Sequence, residues 1–189
     1  MTPKFKANAN STAARTLVGG WTACTVADNG RLRVAPDSGA RTKVYLHPGQ
    51  LFTAAHPSAI TTVLGSCVSL CLWDPVLKIG GVNHYLLPFW VGDDIASPRF
   101  GTVAIETLIE KVLSLGARKN RLRAKLFGGA CVIEAFRERK DHVGIVNARL
   151  AENMLHMQGI PVVERDLAGR RGRKLVFNTD DGTSWIKYL

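Results

Sequence analysis

The chain has 189 residues, 46% of them hydrophobic, and a net charge of +10. That length and hydrophobic content allow one domain with a sizeable core, and no apolar run approaches the roughly 20 residues a membrane-spanning helix needs. Cys24, Cys67, Cys71 and Cys131 form no CxxC pair, and no two of the five histidines lie three or four residues apart. The spacing therefore offers no metal site, and nothing calls for a cofactor.

In chain order, residues 1–40 are polar and rich in Ala, Ser, Thr and Gly, with Lys4, Lys6 and Arg15 among them. They lack the apolar stretch of a secretory signal, and read as a basic, disordered extension ahead of a single domain over 41–189. Without a signal, the thiols read as reduced and the protein as cytoplasmic.

Residues 63–73 and 79–87 are apolar runs separated by the turn signal Asp74-Pro75, the pattern of a β-hairpin. Cys67 and His84 fall about equally far from that turn. A two-residue loop would set them directly opposite, with Cβ atoms roughly 4.5–5.5 Å apart. Any even loop keeps them on one face, opposite or diagonal, whereas an odd loop or a bulge near Gly80-Gly81 separates them. A thiol beside an imidazole is a candidate nucleophile and base, although each residue alone reads as readily as core. Cys71 is assigned to the core. The oxyanion of a tetrahedral intermediate would rest on backbone N–H groups of the Gly65-Ser66-Cys67 turn.

Residues 92–98 read as a substrate-side loop. After Pro98, Ile105, Leu108, Ile109, Val112 and Leu113 recur at helical spacing, with Gly116 as the stop. Residues 121–127 alternate Arg121, Arg123 and Lys125 with Leu122, Ala124 and Leu126, as a strand with one wet face does. Gly128-Gly129 then marks a close backbone approach, expected to line the cleft. A second helix is expected over 147–158, with Leu150, Ala151, Met154 and Leu155 inward. Strands near 161–166, 174–178 and 183–188 follow, the last two joined at Asp181-Gly182. Hairpins mixed with a few helices define an α+β domain.

The positive charge clusters at Arg118, Lys119, Arg121, Arg123 and Lys125, at Arg137, Arg139 and Lys140, and at Arg170, Arg171, Arg173 and Lys174. Nucleic acid is the partner class such runs raise first, but no recognition motif or interleaved aromatics accompany them. Solvated faces that attract an acidic protein fit better.

The stretch LGSCVSLCLWDPVLKIGGVNHYLLP, with KLFGGA, GIVNARLAENMLHMQGIPVVERDLAGRRGRKLVFNTDDG and Trp185, resembles the CheD family of chemoreceptor glutamine deamidases. The chain departs from the pattern at Cys131, where the family more usually has a polar residue. The resemblance implies a layered sandwich of two mostly antiparallel sheets with helices packed on one side. It implies a protein-glutamine glutaminase working through a Cys thioester. Catalytic roles pass to Cys67, to His84, and to Thr61, six residues before the cysteine. Thr62, on the alternate face of the expected strand, is the less favoured orienter of the imidazole. The implied partners are the cytoplasmic helical bundle of methyl-accepting chemoreceptors and a CheC-type phosphatase. A non-catalytic chemotaxis binding module is the alternative.

Overall fold

The apolar run 63–73, expected as one strand, is broken at residues 65–67 into two strands of different sheets. β5 (Ser58–Leu64) ends before Gly65, and β6 (Val68–Asp74) begins after Cys67. The structure, a computed structural model, describes residues 15–18, 21–24, 41–92, 95–136, 139 and 141–189.

The other strands are β1 (Arg15–Val18), β2 (Trp21–Cys24), β3 (Thr42–Tyr45), β4 (Leu51–Ala54), β7 (Ile79–Asn83), β8 (Arg123–Gly128), β9 (Val162–Leu167), β10 (Arg173–Asn178) and β11 (Ser184–Tyr188). They form one sheet in the order β1-β2-β11-β10-β5-β3 and a second in the order β4-β7-β6-β8-β9. Pairing is antiparallel except between β3 and β5 and between β8 and β9. Helices α1 (Gly101–Ser114) and α2 (Val143–Met157) pack on the second sheet. The expected α+β sandwich, with its helices on one side, is thus what the chain forms. Most of the extension expected over 1–40 lies outside the described residues, as do residues 93 and 94 of the expected loop; β1 and β2 pair at the edge of the first sheet.

Period-2 alternation along the central strands fills two cores. Val68, Leu70 and Leu72 of β6, with Ala124 and Leu126 of β8, face Ala104, Ile105, Leu108 and Val112 of α1 and Ala148, Ala151 and Leu155 of α2. Cys71, Trp73 and Phe127 face the other way, against Ile60, Leu64, Leu175, Phe177 and Ile186 of the first sheet. Burying both faces explains why β6 reads as a continuous apolar run.

α1 carries the expected apolar stripe and stops at Gly116, whose φ of 104° suits a residue without Cβ. α2 starts earlier than expected, because His142 caps it: its Nδ1 accepts from the Ile145 N–H at 3.4 Å. Asn147, a turn before Leu150 and Ala151, lies on the buried face of this helix.

Two basic clusters contain a buried cation where a wet face was expected. Lys125 lies between the sheets, its Nζ 2.8 Å from Glu164 Oε2 and 3.1 Å from Ser184 Oγ. Arg173 donates to Asp166 and to the Ala168 carbonyl. β8 has neighbours on both sides and a covered sheet on both faces, so its even and odd positions are both buried and Lys125 needs a counter-ion. Both side chains are withdrawn from the outward-facing positive surface. Arg137 and Lys140 lie outside the described residues.

Candidate active site

The β6–β7 hairpin settles the relation between the thiol and the imidazole. Asp74 pairs with Ile79, so the loop is residues 75–78, an even count, and no bulge interrupts the ladder. Asp74 builds this turn by accepting from the Val76 and Leu77 N–H groups at 2.9 and 3.1 Å. The ladder runs on to Val68, whose N–H and carbonyl both bond Tyr85 at 3.1 Å. In that register His84 lies opposite Ser69, and Cys67, two residues along, is its diagonal neighbour on the inter-sheet face. Diagonal positions are roughly 7–8 Å apart at the backbone, within reach of long side chains. Cys67 accordingly packs on the inter-sheet core and is partly exposed.

His84 is 1% exposed. Its carbonyl accepts from Gly49 N–H at 2.7 Å and its N–H donates to the Gln50 carbonyl at 2.9 Å, which fixes the backbone between β7 and the loop before β4. Across the gap between the sheets, Thr62 Oγ1 lies 2.8 Å from His84 Nδ1. The same hydroxyl donates to the Leu46 carbonyl at 2.8 Å. A hydroxyl has one proton, so toward the ring Thr62 accepts. Nδ1 therefore carries the hydrogen and Nε2 the lone pair. Nε2 is buried and has no hydrogen-bond partner among the described residues.

Thr61 does not occupy this position. In β5, Ser58, Ile60, Thr62 and Leu64 point inward, while Thr61 and Val63 are more exposed; Thr61 contributes a backbone carbonyl to Leu46 N–H at 2.8 Å. Counting faces from Cys67 back to Thr61 presumes one continuous strand. The change of sheet at residues 65–67 breaks that parity and brings Thr62 to the imidazole.

Cys67 and His84 are both neutral at rest. Burial lowers the His84 pKa from 6.5 to about 4, against an opposing contribution from the Leu46 carbonyl. Burial also raises the Cys67 thiol above 9.0, its own backbone N–H opposing. A preformed thiolate–imidazolium pair is thus not the resting arrangement. Cys71, fully buried, is pushed much higher, again chiefly by burial.

Gly65, Ser66 and Cys67 form an elbow whose three carbonyls are all held. Gly65 accepts from Ala130 N–H at 2.8 Å, Ser66 from Asn147 Nδ2 at 3.2 Å and Cys67 from Gly129 N–H at 2.8 Å. Gly128, at φ 114°, passes so near that a Cβ there would sit 2.1 Å from the Cys67 carbonyl oxygen. Gly128 and Gly129, expected to line the cleft, are instead buried behind the elbow as its support. The open side is mostly apolar: Ala130, Cys131, Val132, Ile133, Phe136 and Val143 line a cleft of ≈ 320 Å³ together with Ser66, Arg139, Asp141 and His142. The sequence reading also missed Asn147. Its one signal was an amide at i−3 and i−4 from Leu150 and Ala151, on the apolar stripe of a helix.

The fold and site define a class: an α/β/β sandwich carrying a cysteine on the elbow between its sheets, diagonal to a buried, threonine-held histidine. The family model described as CheD chemotactic sensory transduction matches residues 86–188, more than half of the chain and downstream of both Cys67 and His84. Three relatives extend the similarity. "Probable chemoreceptor glutamine deamidase CheD 1" of Anaeromyxobacter dehalogenans is 53% identical over 154 residues, covering 82% of this chain and 89% of its own. "Probable chemoreceptor glutamine deamidase CheD" of Sulfurimonas denitrificans is 44% identical over 147 residues, 78% and 94% of the two chains. The protein of that name from Trichlorobacter lovleyi is 46% identical over 140 residues, 74% and 86%. The chain belongs to the CheD family.

Proposed function

We propose that the chain is a protein-glutamine deamidase acting on chemoreceptors, as the names of its relatives say of them. The observation that carries the mechanism is the pair of bonds at Thr62, from His84 Nδ1 and to the Leu46 carbonyl, which leaves the Nε2 lone pair as the base.

Because thiol and imidazole both start neutral, proton transfer and attack proceed together. The Cys67 S–H proton passes to His84 Nε2 as sulfur bonds to the carboxamide carbon, giving a tetrahedral oxyanion. The oxyanion is held by backbone N–H groups of the elbow, fixed in orientation by the three bonded carbonyls. Collapse breaks the C–N bond, and His84 returns the proton to nitrogen, which leaves as ammonia. Water then attacks the thioester, giving its proton to Nε2. The C–S bond breaks, sulfur recovers a proton, and a glutamate side chain remains. Thr62 holds the ring through both halves.

A protein substrate fits the surroundings. Val132, Ile133, Phe136 and Val143 are exposed on one side of the elbow, and Leu87 and Phe89 follow His84 on the chain, also exposed. Apolar surface of this kind marks a binding face. The single domain over 41–189, a cytoplasmic setting, and a CheC-type phosphatase competing for the same face belong to this reading. No helix among the described residues is long and apolar enough to cross a membrane.

The test is incubation with a purified chemoreceptor cytoplasmic fragment, followed by peptide mass spectrometry. Conversion of specific glutamines to glutamate is expected. Binding without conversion would favour the non-catalytic module.

A further inference from the structure

Cys67 and His84 are set by different stretches of chain, the elbow between the sheets and the end of β7. One side chain outside both stretches touches the two. Asn147, fully buried on α2, donates from Nδ2 to the Ser66 carbonyl at 3.2 Å and to the Leu86 carbonyl at 2.8 Å. Ser66 precedes the nucleophile by one residue, and Leu86 follows the base by two. A primary amide has two N–H bonds on one nitrogen, and here one carbonyl from each stretch takes its share. The helix backbone is tied in at the same residue, since Tyr85 Oη donates to the Asn147 carbonyl at 2.6 Å.

Resting on the deamidase reading above, we propose that Asn147 is a positioning residue whose amide clamps the Ser66 and Leu86 carbonyls together and so sets the approach of Cys67 to His84. The two reacting residues are diagonal, not directly opposite, so their separation depends on how closely the elbow is drawn to the end of β7. The ladder contributes the Val68–Tyr85 bridge there, and Asn147 provides the next link outward, beyond both catalytic positions. No other standard side chain of that length replaces it. Aspartate has no donor and sets a charge against two carbonyl oxygens. Serine has a single donor on a shorter arm.

The test compares Asn147→Ser and Asn147→Asp with wild type, and with Leu155→Val, at a buried core position of α2 about two turns beyond Asn147, as a variant that loosens the helix elsewhere. Circular dichroism and Tm report folding. The rate of Cys67 alkylation by iodoacetamide, followed against pH with the site read by mass spectrometry, reports His84 assistance without depending on deamidation. In folded Asn147 variants kcat for receptor deamidation falls about 10²-fold, the usual effect of a 1 Å misplacement, with KM within about 2-fold. The alkylation profile moves toward that of His84→Ala, while Leu155→Val lowers Tm and leaves the profile in place. The proposal is overturned if folded Asn147 variants keep the wild-type profile, if Leu155→Val shifts it equally, or if both Asn147 variants are unfolded, which would make the residue structural. Absence of deamidation by wild type would instead strike at the deamidase reading, with the alkylation comparison still deciding the role of Asn147.

Discussion

Thr62 and His84 meet across the gap between two sheets, hydroxyl to Nδ1 at 2.8 Å, and the Leu46 carbonyl fixes the direction of that bond. Replacing Thr62 by valine keeps shape and removes the acceptor. The ring then loses its fixed tautomer, and a buried N–H is left unpaired at a stability cost of about 1–3 kcal/mol. The expected loss in kcat is about 10²-fold. Thr61→Val, on the more exposed face of β5, changes stability by no more than about 0.5 kcal/mol and leaves turnover as it was. Steady-state deamidation and thermal melts of the two variants check this.

The depressed pKa of His84 predicts the pH dependence. The base is available wherever the ring is neutral, so the acid limb of kcat/KM falls at about pH 4 instead of at 6.5. The same shift makes a stability statement. Between 6.5 and 4 the unfolded chain binds a proton that the folded one refuses, so stability from this group is present above 6.5 and is lost as pH falls toward 4. The magnitude is roughly 3 kcal/mol. Melts of wild type and His84→Gln across that window should diverge by this amount.

Gly128 lies directly behind Cys67. Gly128→Ala would drive a Cβ to within 2.1 Å of the Cys67 carbonyl at a backbone φ of 114°, so the elbow must move. Stability falls by about 3 kcal/mol or more, and residual folded protein deamidates poorly. Urea unfolding together with activity per folded molecule measures both.

The buried pair of Lys125 and Glu164 supports the space between the sheets. Lys125→Met leaves the Glu164 carboxylate uncompensated and costs about 3–5 kcal/mol. Lys125→Met combined with Glu164→Leu removes both charges and recovers most of that loss. A double-mutant cycle in urea reads the coupling directly.

Much of this molecule was legible in the sequence because local signals controlled the outcome. α1 followed its apolar stripe to Gly116, and the even loop at residues 75–78 placed Cys67 and His84 on one face. What escaped was non-local. The apolar run 63–73 bore no mark of the change of sheet at the elbow beyond Gly65-Ser66, so the parity carried back to Thr61 did not reveal that Thr62 meets His84. Lys125 read as a solvated cation because its counter-ion, Glu164, lies on a strand far along the chain. Asn147 read as the start of a helix because the carbonyls its amide bonds, those of Ser66 and Leu86, lie far back along the chain.

The most direct test is to quench the protein with acid during turnover of a chemoreceptor fragment and to search Cys67 by mass spectrometry. A substrate acyl group in thioester linkage at Cys67, absent in Cys67→Ala along with ammonia release, is the predicted result. Deamidation that continues undiminished in Cys67→Ala would contradict it.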